Sequence, residues 1–226
     1  MKRFFSFLSI GLVFLLCFSL VGCKTEMEKR ESNISELRSA VYVGGNDTMT
    51  VTAITGKREE PYVIDGHCSG VRDFTVIKIE PKQFDAGRVY SYAADLDGTQ
   101  YTGQFVRHPF GKSFSADIEA VCTQSSITVT VSTDGAEEEF VLNSVVTEDM
   151  ISAEKALEIA SARLKKEIAS LTSGGELCAE IYVRLMANPI DNSGEYMWYI
   201  AYVGEGQTTY AALINPRTME IVAVRD

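Results

Sequence analysis

The histidines and cysteines, the commonest base and thiol nucleophile, are few: His67 and His108, and Cys17, Cys23, Cys68, Cys122 and Cys178. A hydrolase built on them needs a nucleophile, a base within hydrogen-bond reach and a group that orients the base. His67 directly precedes Cys68. Neighbours on a regular strand point to opposite faces, so on such a strand the two cannot meet as imidazole and thiolate. His108-Pro109 reads as a loop at a strand end. There is no G-x-S-x-G, no H-E-x-x-H and no phosphate-binding glycine loop, so no residue is assigned a catalytic role. The absence of C-x-x-C removes the usual zinc and thioredoxin patterns. Asp95-Leu-Asp97-Gly98-Thr99 begins like a calcium loop but lacks the remaining ligand positions and the closing glutamate, and a hairpin turn accounts for the same residues. No metal or cofactor is expected.

Cys23 belongs to a different chemistry. Lys2 and Arg3 precede an apolar run from Phe4 to Phe18, and the run ends in Leu20-Val21-Gly22-Cys23. Its roughly 15 residues fall short of the about 20 that a spanning helix needs, and this order of charge, apolar core and small residue is that of an export signal. The four last residues resemble the lipobox of bacterial lipoproteins. The resemblance implies that residues 1–22 are a removed signal peptide, and that Cys23 receives a diacylglyceryl thioether and becomes the mature N-terminus. It also implies attachment to the outer face of the cell membrane, or the periplasmic side in a bacterium with two membranes. Each buried methylene contributes about 0.8 kcal/mol and a single chain holds only marginally, which is why such anchors, palmitate among them, come in twos and threes. Residues 23–37 then form the lipidated cysteine and a polar tether.

About 200 residues remain after processing, with 46% hydrophobic content in the whole chain, enough for one or two packed cores. The formal charge of −10 becomes −12 when Lys2 and Arg3 leave. So acidic a chain has no electrostatic footprint for nucleic acid and is repelled by anionic lipid, so attachment rests on the acyl chains. Export permits a disulfide. Cys68 and Cys122 fall in one segment and either bond to one another or stay as two buried thiols. Cys178 alternates within a strand pattern and reads as a small core residue.

These side chains need elements to position them. Residues 38–147 show period-two alternation in Met49–Ala53, Phe74–Val76, Tyr101–Phe105, Ile127–Val131 and Phe140–Leu142. Gly44–Asp47, Asp65-Gly66, Asp97-Gly98 and Asp134-Gly135 punctuate them as turns, and Asp97-Gly98 is a two-residue hairpin signal. The pattern predicts an immunoglobulin-like antiparallel β-sandwich, with a small closed barrel as the alternative. Lys57-Arg58-Glu59-Glu60 reads as a solvated loop, and Glu137–Glu139 as a solvated edge. From residue 148 the period changes. Ile151 to Leu171 recurs at three and four, with Ser152 as N-cap, Glu154 in the first turn and Gly174-Gly175 as the stop. Strands are expected at Leu177–Met186, Glu195–Val203, Thr208–Ile214 and Glu220–Arg225. The fold class is therefore mainly β with an α+β unit over 148–226.

Residues 150–226 resemble a PepSY-type domain. Ile151-Ser-Ala-Glu-Lys-Ala-Leu-Glu-Ile-Ala160 matches the helix start of that family, Trp198-Tyr-Ile-Ala-Tyr202 its aromatic strand, and Asn215-Pro-Arg-Thr-Met-Glu-Ile-Val222 its closing turn. Asn215 and Met219 depart from the usual Asp and Gly. Since Met is poor at positive φ, a type I turn with Pro216 second is expected. The order of signal, β segment and this ending also resembles lipoproteins of Gram-positive anaerobes. The resemblance implies an exported protein that binds or inhibits an envelope peptidase or peptide, and brings no catalytic residues. Trp198, Tyr199, Tyr202 and Tyr210 are the candidate partner surface, one face of the strand packing on the helix and the other open. The expected function is a lipid-anchored binding module. A structural or adhesive surface protein and a degenerate hydrolase are the alternatives.

Overall fold

Period-two sequence is answered by strands throughout the computed structural model, which describes residues 30–191 and 193–226. The expected signal peptide, Cys23 and the first part of the expected tether lie outside these residues. In chain order the strands are β1 (Ile34–Gly45), β2 (Met49–Glu59), β3 (Val71–Pro81), β4 (Ser91–Leu96), β5 (Thr99–Gln104), β6 (Val106–Arg107), β7 (Phe114–Ile118), β8 (Ser126–Thr133) and β9 (Ala136–Ser144). Helices α1 (Ala153–Arg163) and α2 (Lys165–Ser170) follow. The strands resume as β10 (Thr172–Ser173), β11 (Glu176–Leu177), β12 (Ala179–Ala187), β13 (Tyr196–Gly204), β14 (Thr209–Ile214) and β15 (Ile221–Arg225). The protein is mainly β, and among the described residues the strand pairings are antiparallel apart from one.

That exception is β1 with β12, and it organises the fold. Along one edge β1 pairs with β2 over most of its length. Its other edge is divided: Ile34–Arg38 run parallel to β12, while Tyr42 and Val43 pair antiparallel with β9. A bulge between Arg38 and Ala40 turns the strand between its two sets of partners. Opposite it, Gly56 on β2 comes so close that a Cβ there would stand 1.8 Å from the Leu37 carbonyl oxygen. Only glycine fits. β1 begins at Ile34, so residues 34–37 of the expected tether are strand. Ile34 pairs with β12, and Glu36 and Leu37 pair with both β12 and β2, which a polar local composition does not reveal.

From β1 the ladder runs through β2, β3, β7 and β6 one way and through β9, β8, β4 and β5 the other. The chain passes from β5 through Phe105 into β6, so these strands curl into a nearly closed barrel. All of them belong to one continuous sheet, whereas a sandwich needs two. The inward positions alternate as expected, and Tyr42, Val51, Ile77, Leu96, Phe114, Ile127, Val129 and Leu142 form its core. The Asp97-Gly98 hairpin is present, with φ of 51° and 82° at the two turn residues, and Asp134-Gly135 makes a second such turn.

The second arm of the sheet is β12–β13–β14–β15, all antiparallel. The four strands expected there are all present. The sequence boundary at 147/148 marks the change of period, and the β1–β12 ladder carries the sheet across it, residues 33–226 packing as one unit. Ser152 caps α1 by accepting from Lys155 N at 3.2 Å, with Glu154 in the first turn. The helix turns at Leu164 instead of running straight to Leu171. Gly174-Gly175 is the tip of the β10–β11 hairpin. At the closing turn Asn215 Oδ1 accepts from Arg217 N and Thr218 N, and Met219 N bonds Asn215 O at 3.0 Å. Met219 has φ of 62°, the conformation expected to be closed to it, because the backbone bonds on either side fix the turn whatever residue fills it.

Candidate functional site

Alternation along β12 places Glu180, Tyr182 and Arg184 on the face away from α1. β1 brings Ser35 and Glu36 beside them, and the end of β2 brings Arg58 and Glu59. The connection from Glu60 to Gly70 folds back over this junction. Its base is closed by Glu60 N to Gly70 O at 3.0 Å, and its middle is fastened to the sheet by Asp65 N to Glu180 Oε1 at 3.0 Å and by a bond between the Tyr62 and Tyr182 hydroxyls. Beneath and beside the loop is an open cleft of about 710 Å³ lined by Ser35, Glu36, Arg58, Glu59, Glu60, Pro61, Tyr62, Arg72, Asp117, Tyr182 and Arg184.

The cleft is charged on both signs. Glu36 is clasped by Arg38 Nε at 2.6 Å and Arg184 Nε at 2.7 Å, and the Arg184 guanidinium lies 4.4 Å over the Tyr182 ring. Arg58 and Arg72 converge on Asp117, the latter at 3.2 Å, and Arg72 also binds Glu60. Two carboxylates lie deeper. Glu180 is 0% exposed, and its two oxygens accept from Asp65 N and from the Tyr182 hydroxyl at 2.7 Å. Glu59 is 3% exposed; its Oε1 accepts from Ser69 N at 2.8 Å and Ser69 Oγ at 3.1 Å. Glu59 Oε2 has no hydrogen-bond partner among the described residues. Burial, then the Tyr62 hydroxyl and Glu180, push the Tyr182 phenol well above its ordinary range, so it stays a donor.

The residues singled out by sequence fall in other places. Cys68, Cys122 and Cys178 are free thiols, so the Cys68–Cys122 bridge is not formed. Cys68 sits in the 60–70 loop with its thiol on Ile34 O at 3.3 Å, whereas the Cys122 thiol meets Asp97 Oδ1 at 3.4 Å under the β4–β5 turn. Burial, followed for Cys68 by the Glu59 carboxylate, raises both thiols, which keeps them protonated and poorly nucleophilic. Cys178 is half-buried just before β12. His67 and Cys68 lie in a loop, not a strand. His67 is exposed, and His108 is exposed with Nδ1 accepting from Phe110 N at 3.2 Å. Among the described residues no three His, Cys, Asp or Glu side chains converge as metal ligands. None of the helices there is long and apolar enough to cross a membrane.

The aromatic partner surface needs correction. Trp198 is 3% exposed and donates Nε1–H to Ile151 O at 3.0 Å; Tyr202 is fully buried and bonds Ser161 Oγ on α1 at 2.6 Å. Tyr210, on the same face, is half-buried and accepts from Ser170 Oγ on α2 at 3.4 Å. Tyr199 turns the other way and packs, half-buried, with Tyr182, Ala201 and Ala211. β13 lies inside the sheet, so Trp198 and Tyr202 are packing against α1 rather than a docking surface, while Tyr199 and Tyr210 stay half-buried. Asp97, by contrast, gains a role beyond its turn. Partial desolvation would raise its carboxyl, but bonds from Thr123 Oγ1 and N, Cys122 and Gln124 N outweigh it and hold the group below its usual range.

The cleft residues escaped the sequence reading. Lys57-Arg58-Glu59 is the end of β2 rather than a solvated loop, only Glu60 lies beyond the strand, and Glu59 is sealed by Ser69 ten residues later. Pro61-Tyr62-Val63-Ile64, between a charged run and Asp65-Gly66, is apolar for a loop, although Tyr62, Val63 and Ile64 all stay exposed. Comparison of the chain with protein-family models, with curated proteins and with solved structures gives no match.

Proposed function

We propose that this protein is a lipid-anchored extracytoplasmic binding module, and that the cleft between barrel and second arm holds a peptide segment, free or part of an envelope peptidase. The observation that carries the reading is the cleft itself. It has the volume of a small-ligand site, remains open along one side, and combines tyrosine rings with arginines and carboxylates already fixed by one another. Such a wall offers an extended chain aromatic contact and both donors and acceptors without needing to be reorganised. The lipobox-like Leu20–Cys23 supports the anchor. Capped α1 followed by an antiparallel four-strand arm supports a PepSY-like reading of residues 148–226.

Photo-crosslinking from position 62 in intact cells, followed by mass spectrometry, tests the partner. Recovery of one envelope peptidase or peptide, lost when Arg72 and Arg184 are both replaced by Glu, is the expected result. Crosslinks spread over unrelated surface proteins would overturn it. Mass analysis of the mature N-terminus tests the anchor, with a diacylglyceryl Cys23 expected; an unmodified Cys23 would end that claim.

A further inference from the structure

We propose that the cleft selects a basic side chain, lysine or arginine, of an extended peptide, with Glu59 Oε2 as its acceptor and the Tyr62 and Tyr182 rings beside it. The inference rests on the peptide-binding reading above and adds the chemical class. A carboxylate withdrawn from water needs donors on both oxygens or a cation beside it. Glu59, on the cleft wall and 3% exposed, has two donors on Oε1, none on Oε2, and no ion-pair partner among the described residues. The arginines nearby do not fill the vacancy. Arg58 and Arg72 are held by Asp117 and Glu60, and Arg184 is held by Glu36. Nor does the site suit a metal ion, because among the described residues Glu59 belongs to no group of three His, Cys, Asp or Glu side chains that could hold one.

A lysine or arginine meets the whole requirement at once. Its head supplies both the charge and the N–H donors that Oε2 lacks. Its aliphatic stem lies along the Tyr62 ring, the Tyr182 ring being already covered by the Arg184 guanidinium. Tyr62 is 54% exposed at the mouth, its hydroxyl bonded to that of Tyr182.

The test uses the purified full chain, solubilised in detergent and immobilised. It is presented with pools of short peptides bearing one fixed residue among randomised neutral ones. The fixed residue is lysine, arginine, norleucine, citrulline or glutamate. About 0.5 M salt shortens the reach of the acidic surface to about 4–5 Å, so bulk charge attraction is suppressed. Retention of the lysine and arginine pools about tenfold above norleucine and citrulline, with that preference lost in Glu59→Gln, is the expected result. Equal retention of lysine and norleucine pools, or a basic preference that survives Glu59→Gln, overturns the inference and leaves peptide binding standing. Retention of no pool overturns both. Should Glu59→Gln fail to fold, Tyr62→Leu decides. Loss of its ring is expected to cut the basic preference about threefold, and an undiminished preference counts against the site.

Discussion

The phenol of Tyr62, on the loop after β2, shares a hydrogen bond with the phenol of Tyr182 on β12, 120 residues later, their ring centroids 6.3 Å apart. The loop over the cleft is thereby fastened to the arm of the sheet that follows the helices. Tyr62→Phe removes that bond but leaves Tyr182 donating to Glu180. It is expected to lower the opening energy of the loop by about 1 kcal/mol, with little change in global stability. Amide exchange at Asp65 and Ser69 should speed up while the β2 and β12 amides keep their protection. Tyr182→Phe should cost about 1–3 kcal/mol globally, since fully buried Glu180 loses a donor; equal effects of the two variants would contradict the assignment.

Asp97 ties the β4–β5 turn to residues 122–124 through its carboxylate. Because its folded pKa is depressed, its contribution is present above the unfolded value of about 3.9 and is lost as pH falls through the folded value. Asp97→Asn keeps a residue suited to the left-handed turn. The variant should be less stable than the wild type at pH 7, and the gap should close as pH drops below about 4. Urea midpoints across that range are the measurement, and a gap constant with pH would show that the carboxylate charge does not matter.

Gly56 faces the bulge in β1 with a Leu37 carbonyl oxygen where a Cβ would have to stand. Gly56→Ala must push β1 and β2 apart at the point where the sheet forks. A loss of about 3 kcal/mol or failure to fold is expected. A variant with an unchanged melting temperature would show that the close approach is not needed.

Met219 carries a left-handed backbone at the β14–β15 turn, a conformation that costs a residue with a Cβ about 1–2 kcal/mol. Met219→Gly relieves that cost but widens the freedom of the unfolded chain. A net gain of about 0.5 kcal/mol in denaturant unfolding is the expected outcome, and the half-exposed Met side chain leaves little packing to lose. Destabilisation would mean that the thioether contributes more than its exposure indicates.

What the sequence revealed was local. Ser152, three residues before Lys155, was a readable cap. Asp97-Gly98 and Asp134-Gly135 were readable turns, and alternation marked the inward faces of the barrel strands. Alternation says which way a side chain faces but not which strand lies beside it. The pairing of β1 with β12 therefore had no signal in either segment, and nor did the cleft that depends on it. Glu59 shows the same limit from the other side. Among Lys57, Arg58 and Glu60 it reads as one more solvated charge, and only the returning Ser69 takes it out of water. Trp198 and Tyr202 were placed on the correct shared face, yet whether that face was covered depended on where α1 came to rest.

The divided edge of β1 also has a bearing on how the protein is made. Glu36 and Arg184, clasped in the finished fold, are 148 residues apart in the chain. As the chain is made, β1 therefore waits with half an edge bare until β12 has followed it. Pairings of such long range form slowly, and an unoccupied strand edge invites the wrong neighbour in the interval. A bulged, charge-rich start, Ile34-Ser-Glu-Leu-Arg38, makes poor adhesive for another chain, so the same polar residues that disguise the strand in the sequence also guard it while it waits.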